Sequence, residues 1–164
     1  MYAIAIDVGI KNLGLCVYDF TTSRVVHWDN VCLTSGRYSP SLNVQYVRDF
    51  VSKYAAFFQR AHAVIIERQM RCNMRIIEAI FQTMCYDRCH VIHARSVKAH
   101  YGLSTKNYRM NKQKAIEWAD AFVKANPFVF DCTDNFLQSS KRDDLADSLL
   151  LVMYYLDTYS NQLE

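Results

Sequence analysis

The chain has 164 residues, 51% apolar, 13% aromatic and 21% charged, which supplies a core for one globular domain over 1–164 and excludes a disordered chain. The net charge of +3, from 19 basic and 16 acidic residues, points only weakly to an anionic partner. No apolar run is long enough for a membrane span, and the N-terminus lacks a signal-peptide pattern. A non-secreted protein of a cytosolic or nuclear-type compartment, with no membrane partner and no small-molecule cofactor, is expected.

In chain order, YAIAI (2–6) accumulates apolar residues as a central strand does. A turn around Gly9 and Gly14 leads to a second strand, LGLCVYDF. TTSRVVHWDNVCL then predicts a short turn and a third strand, giving an antiparallel meander. SLNVQYVRDFVSKYAAFFQR (41–60) spaces Leu42, Tyr46, Val47, Phe50, Val51, Tyr54, Phe57 and Phe58 as one amphipathic helix. A short strand, HAVIIE (62–67), follows. The helical period resumes over about 72–88, with Ile76, Ile77, Ile80, Phe81 and Met84 as its buried stripe.

CHVIHA (89–94) predicts another strand, and Ser96–Tyr101 a short helix. KQKAIEWADAFVKA places Ala115, Ile116, Ala119, Phe122 and Val123 on one helical face. DDLADSLLLVMYYLDTY is apolar enough to lie deep against the sheet. Three strands followed by alternating helices and strands predict an α/β fold: a mixed five-stranded sheet, three antiparallel strands then two parallel, flanked by helices. The six cysteines (Cys16, Cys32, Cys72, Cys85, Cys89, Cys132) contain no CxxC pair, which argues against a zinc ribbon and for reduced thiols. Cys85 and Cys89, one helical turn apart in this reading, are packing residues.

Two of these strands end in a carboxylate: AIAI in Asp7 and AVII in Glu67. Parallel neighbours would bring both to one edge of the sheet. The run KRDDLADS adds Asp144 and Asp147, three apart on one helix face, near a helix start whose dipole tolerates negative charge. Asp143 and Asp147 are also neighbours, so spacing leaves the register open. Taken singly, Asp7 can stabilise a turn, Glu67 can pair with Arg68 and the Asp run can cap its helix. Converging acids repel unless a multivalent cation joins them. Hard oxygen ligands suit magnesium or manganese. Two such ions about 4 Å apart serve in-line displacement at phosphorus.

IDVGIKNLG, VIIERQ and DDLADSLLL, in this order, resemble the RuvC-like Holliday-junction resolvases, and within them the poxvirus resolvase group, with more distant similarity to the mitochondrial junction resolvases of fungi. The motifs cover residues 4 to about 152. The resemblance implies an RNase H-like (RuvC-type) fold, a homodimer, and symmetric cutting of four-way branched DNA in the host-cell cytoplasm. It carries the family acids onto Asp7, Glu67, Asp144 and Asp147, with two magnesium or manganese ions per site, and leaves Asp143 outside. It also implies a lysine on the preceding helix, with Lys112 and Lys114 both open.

Arg68, Gln69, Arg71, Arg75, Lys98 and Arg109 are the expected DNA contacts. Tyr46, Tyr101 and Tyr108 are alternatives for stacking on a base, ordinary core packing being the other reading. Surplus apolar surface on the helix after Glu67 suits a two-fold interface or ordinary core. Competing readings are another RNase H-fold nuclease acting on hybrids or flaps, a non-catalytic junction-binding module, and an actin-like ATPase. The last needs a second Asp-x-Gly turn, and the sequence has none.

Overall fold

The apolar run after Met1 becomes the middle of a sheet. In the computed structural model, which describes residues 1–159, β1 (Tyr2–Asp7) lies between β2 (Leu13–Asp19) and β4 (Ala61–Glu67), with β3 (Arg24–Val31) and β5 (Cys89–Ile92) at the edges. The strand order is β3-β2-β1-β4-β5. The first three are antiparallel, and β4 and β5 run parallel to β1. This is the expected mixed five-stranded sheet.

Helices cover both faces, and side-chain alternation decides what each face meets. Ile4, Ile6, Val64 and Ile66 point to α1 (Asn43–Lys53), α2 (Ala55–Phe58) and α3 (Cys72–Met84). Ala3, Ala5, Ala63 and Ile65 point the other way, to α4 (Ala94–His100), α5 (Tyr108–Ala125), α6 (Asp134–Gln138) and α7 (Arg142–Tyr159). The bulk is asymmetric: alanines on the second face let α7, buried along most of its length, lie close to the strands.

Several boundaries differ from those expected. Gly14 belongs to β2, opposite Asp7, rather than to the turn. The turn itself needs Gly9, whose added Cβ would stand 2.4 Å from the Asn12 carbonyl oxygen. The helix expected over 41–60 is divided: a 3₁₀ turn (Pro40–Leu42) leads into α1, and Tyr54 leaves helical geometry before α2. The break sets the Phe57 ring 5.3 Å from that of Tyr2 and Phe58 in the core, then returns the chain to β4.

α3 stops at Met84, four residues short of 88, and Arg88 N donates to Cys85 O to close a turn (3.0 Å). Cys85 and Cys89 therefore flank a turn instead of sharing a helix. Of the expected stripe on α3, Ile77 and Phe81 are buried, whereas Ile76 and Met84 stay 44% and 40% exposed. The inward place is shared by Glu78, an acid. α4 begins two residues earlier than expected, and α5 begins at Tyr108, where the Asn107 side chain accepts from Arg109 N and Met110 N. α6 and a 3₁₀ turn at Pro127–Val129 fall where no periodicity marks them.

Candidate active site

Asp7 is in phase with Ala3 and Ala5, and Glu67 with Ala63 and Ile65, so both carboxylates leave the sheet on the α7 face. Ile6 stands opposite Ile66 across the parallel pair, which makes the two acids neighbours. Asp144 and Asp147 descend from the first turns of α7. One carboxylate oxygen from each of Asp7, Glu67 and Asp147 lies within 4.8 Å of the others. All four acids line one cavity of about 570 Å³.

The start of α7 is held by β3. Trp28, fully buried, donates from Nε1 to the Leu145 carbonyl (2.9 Å) and stacks on Phe136 at 4.5 Å. Ser148 Oγ donates to the same carbonyl (2.8 Å), and Arg142 pairs with Asp120. Two carbonyl bonds and a buried indole thus fix the turn that carries both acids.

Two lysines meet the cluster from other helices. Lys98 of α4, expected among the DNA contacts, sits inside it, with Nζ 3.1 and 3.3 Å from the Asp147 carboxylate oxygens. Lys112 of α5 lines the cavity and pairs with Asp143. Asp143 therefore faces Lys112 while Asp144 and Asp147 face the cavity, which resolves the register that spacing left open. Lys114, two positions on, points away from this cavity because successive helical residues lie on different faces.

The electrostatics are those of a site short of positive charge. Burial and then the charge of Glu67 raise the Asp7 carboxyl well above the usual carboxylate range. Burial and Asp147 push Glu67 up to about 7, and burial and Asp143 push Asp144 up to about 6. Asp147 is raised by burial, against the pull of Lys98. Burial works against the Lys98 ammonium, but Asp147 outweighs it and the pKa rises; Lys112 rises likewise through its bond to Asp143. Asp143 is held low by that bond despite its burial.

One of the two lysines is thus committed outside the four-acid set. Asp147 Oδ1 is buried with no hydrogen bond of good geometry. An all-oxygen donor set with surplus negative charge, whose Asp147 Oδ1 has an ion pair to Lys98 but no well-aligned hydrogen bond, fits a hard divalent cation. Asp7, Glu67 and Asp147 are the residues that can hold it, with Asp144 beside them.

The opposite wall is the loop from β4 to α3. Arg68 N donates to Ile92 O (2.8 Å), Gln69 N to the buried Glu78 carboxylate (2.6 Å), and Gln69 Nε2 to Glu67 O (3.1 Å). These bonds set Arg68, Gln69 and Arg71 on the cavity. Glu78 is a positioning residue that the sequence reading missed; its signal is an acid between Ile77 and Phe81 on an apolar face.

Arg75 lies outside, beside Met70, Cys72 and Ile76, and Arg109 lines a separate hollow with Lys112 and Asp143. Of the tyrosines, Tyr108 lines the cavity and is 72% exposed. Tyr46 is buried and Tyr101 donates to Asp157 (2.7 Å). His93, not anticipated, lines the cavity as well.

Residues 1–158 match a family model described as Poxvirus A22 protein. The chain belongs to the poxvirus A22 protein family. No curated protein matches it. Among solved structures, this A22-family chain is similar to the fowlpox virus resolvase in complex with substrate Holliday junction DNA, at 19% identity over 96% of this chain and 98% of that one, TM-score 0.69. It is also similar to the yeast mitochondrial Holliday junction resolvase Ydc2, at 16% identity over 99% and 86%, TM-score 0.69. A third likeness is to Thermus thermophilus RuvC in complex with a Holliday junction substrate, at 17% identity over 98% and 97%, TM-score 0.58. At these identities the likeness establishes the fold, which is RuvC-like. No helix among the described residues of this A22-family chain is long and apolar enough to cross a membrane.

Proposed function

We propose that this chain is a Holliday-junction resolvase, a metal-dependent endonuclease that makes paired, symmetric nicks in four-way DNA and leaves 5′-phosphate and 3′-hydroxyl ends. It would serve recombination and concatemer resolution of viral DNA in the host-cell cytoplasm, the whole chain acting as one nuclease domain. The observation that carries this reading is the meeting of Asp7, Glu67 and Asp147 oxygens within 4.8 Å, beside a loop carrying Arg68 and Arg71. Its fold is that of a fowlpox protein described with its junction substrate, and six free cysteines suit a reducing compartment.

Asp7 would anchor two magnesium or manganese ions, Glu67 would complete the ligation of one, and Asp144 and Asp147 that of the other. When bound, such ions activate water and offset charge on the departing 3′ oxygen. Lys98 holds the Asp147 carboxylate in one orientation through its paired contact. Lys112, braced by Asp143, offsets charge that grows on the scissile phosphate. Arg68, Gln69 and Arg71 grip flanking phosphates, and Arg75 and Arg109 extend the positive surface beyond them. Such contacts position DNA without reading its sequence, and binding weakens steeply with salt.

A four-way junction has two strands to cut, so the active unit is a homodimer. The surface that suits it is the apolar groove between α1 and α3, where Val44, Ile76, Ile80 and Met84 meet. Exposed apolar side chains grouped in this way mark an interaction surface.

The test is a substrate panel of four-way junction, flap, RNA–DNA hybrid and duplex, with and without magnesium or manganese, with the nicks mapped. Symmetric, ligatable nicks that require metal and the junction are expected. Asp7→Asn and Glu67→Gln should abolish cleavage and leave junction binding intact. Equal cutting of plain duplex, or metal-independent binding with no product, would overturn the reading.

A further inference from the structure

β5 runs parallel to β4 with Ile92 opposite Glu67. The next residue, His93, therefore emerges at the edge where the acids stand, and it lines their cavity with Asp7, Glu67 and Lys112. Its ring is committed on one side: Nδ1 accepts from the Arg95 backbone N at 3.1 Å, capping α4. A nitrogen that accepts carries no proton, so the neutral ring holds its proton on Nε2. The cap thus fixes the tautomer. No group among the described residues takes the Nε2 proton, and the side chain is exposed at the cavity.

Serine, threonine, aspartate or asparagine would cap this helix as well. What histidine adds is a second, outward-facing donor. A lysine or arginine at this position would be drawn onto the carboxylates, as Lys98 is drawn onto Asp147. A neutral N–H hydrogen-bonds an anion without competing with a divalent cation for the acids.

We propose that His93 is a substrate-contacting residue, its Nε2–H donating a hydrogen bond to a phosphate oxygen of the DNA strand in the acidic cavity. The contact rests on the resolvase reading, and it supplies from β5 a donor that complements Lys112 from α5 and Arg68 and Gln69 from the loop after β4.

Two measurements test it, one of them independent of cleavage. In metal-free protein at pH 8, long-range proton–nitrogen spectra of the histidine rings should show His93 protonated on Nε2, and adding a synthetic four-way junction should shift its Nε2 signal. In single-turnover cleavage, His93→Ser, which keeps a capping oxygen, should retain the wild-type melting midpoint and cut roughly tenfold more slowly. His93→Ala should lose both stability and rate. An Nδ1-protonated ring, a signal indifferent to junction DNA, or a His93→Ser rate equal to wild type would overturn the proposal. A wild-type protein that leaves every junction uncut, yet shows the shifted His93 signal, would sink the nuclease reading and support the contact.

Discussion

A Cβ on Gly14 would stand 2.3 Å from the carbonyl oxygen of Asp144 and 3.2 Å from the Ser148 Cβ. Gly14 is also the cross-strand partner of Asp7. One glycine thus sets how closely the helix that carries the last two acids approaches β2, the strand paired with the one that carries the first. Gly14→Ala must push α7 away from β2. The expected outcome is a loss of about 1–3 kcal/mol in urea unfolding, with metal-dependent cleavage falling further than junction binding. Wild-type behaviour in both assays would mean that α7 is held without this contact.

The acid cluster makes the metal-free protein sensitive to pH in a definite direction. Glu67 and Asp144 titrate near 7 and 6 when folded, against ordinary values of 4.5 and 3.8. Below about pH 3 both states are largely protonated and the cluster costs little. As pH rises toward 7 the unfolded chain ionises first, so folding stability declines through that window. Asp143 acts oppositely, but its window lies below 3.8. His27 and His90, lowered by burial from 6.5, also act oppositely as pH rises toward 6.5, and the four raised acids of the cluster outnumber them. Urea midpoints measured in chelator from pH 4.5 to 7.5 should therefore fall, and excess magnesium should flatten the slope by binding the native state. A profile indifferent to magnesium would count against a metal site.

Lys112 and Lys114 separate cleanly. Lys112→Ala removes the ammonium that Asp143 holds at the cavity and should slow single-turnover cleavage by about a hundredfold or more. Lys114→Ala, outside the cavity, should stay within about twofold of wild type at moderate salt. Equal losses would argue for a diffuse electrostatic role instead.

Glu78 supports the basic loop from behind. Glu78→Ala leaves the Gln69 N–H without its acceptor and should cost about 1–3 kcal/mol. Hydrogen exchange at residues 67–70 should quicken. Glu78→Gln keeps an acceptor oxygen and should restore most of both. If the glutamine variant fails as badly as the alanine one, the charge rather than the hydrogen bond is what matters.

The exposed face of α3 predicts a specific dissociation. Ile76→Glu together with Met84→Glu alters residues that are partly solvent-facing in the single chain, so the variant should stay folded, with an unfolding midpoint that no longer rises with protein concentration as a dimer's does. Sedimentation should show the dimer replaced by monomer, with paired nicking lost. A wild-type protein that binds junctions as a monomer would remove this interface from the proposal.

What the sequence determined by itself is whatever a local period encodes. Alternation in YAIAID and AHAVIIE is a property of each strand alone, and it puts Asp7 and Glu67 on the same face as the alanines once the strands are parallel. The 3.6-residue period of DDLADSLLLVMYYLDTY likewise declares a buried helix with acids at its start. The mixed sheet, three antiparallel strands then two parallel, followed from the succession of these elements, and the break at Tyr54 did not, because a helix interrupted for one residue keeps almost the same apolar spacing.

Tertiary structure decided the pairing of charges. Lys98 reaches Asp147 across 49 positions and Lys112 reaches Asp143 across 31, distances at which no local period carries information. Whether Asp143 or Asp144 faces the cavity depends on the angle at which α7 docks, and that angle is set by Trp28, Gly14 and the alanines of the sheet. Glu78 and His93 join the site for the same reason: a helix period says which side a residue occupies, and only docking says what stands opposite.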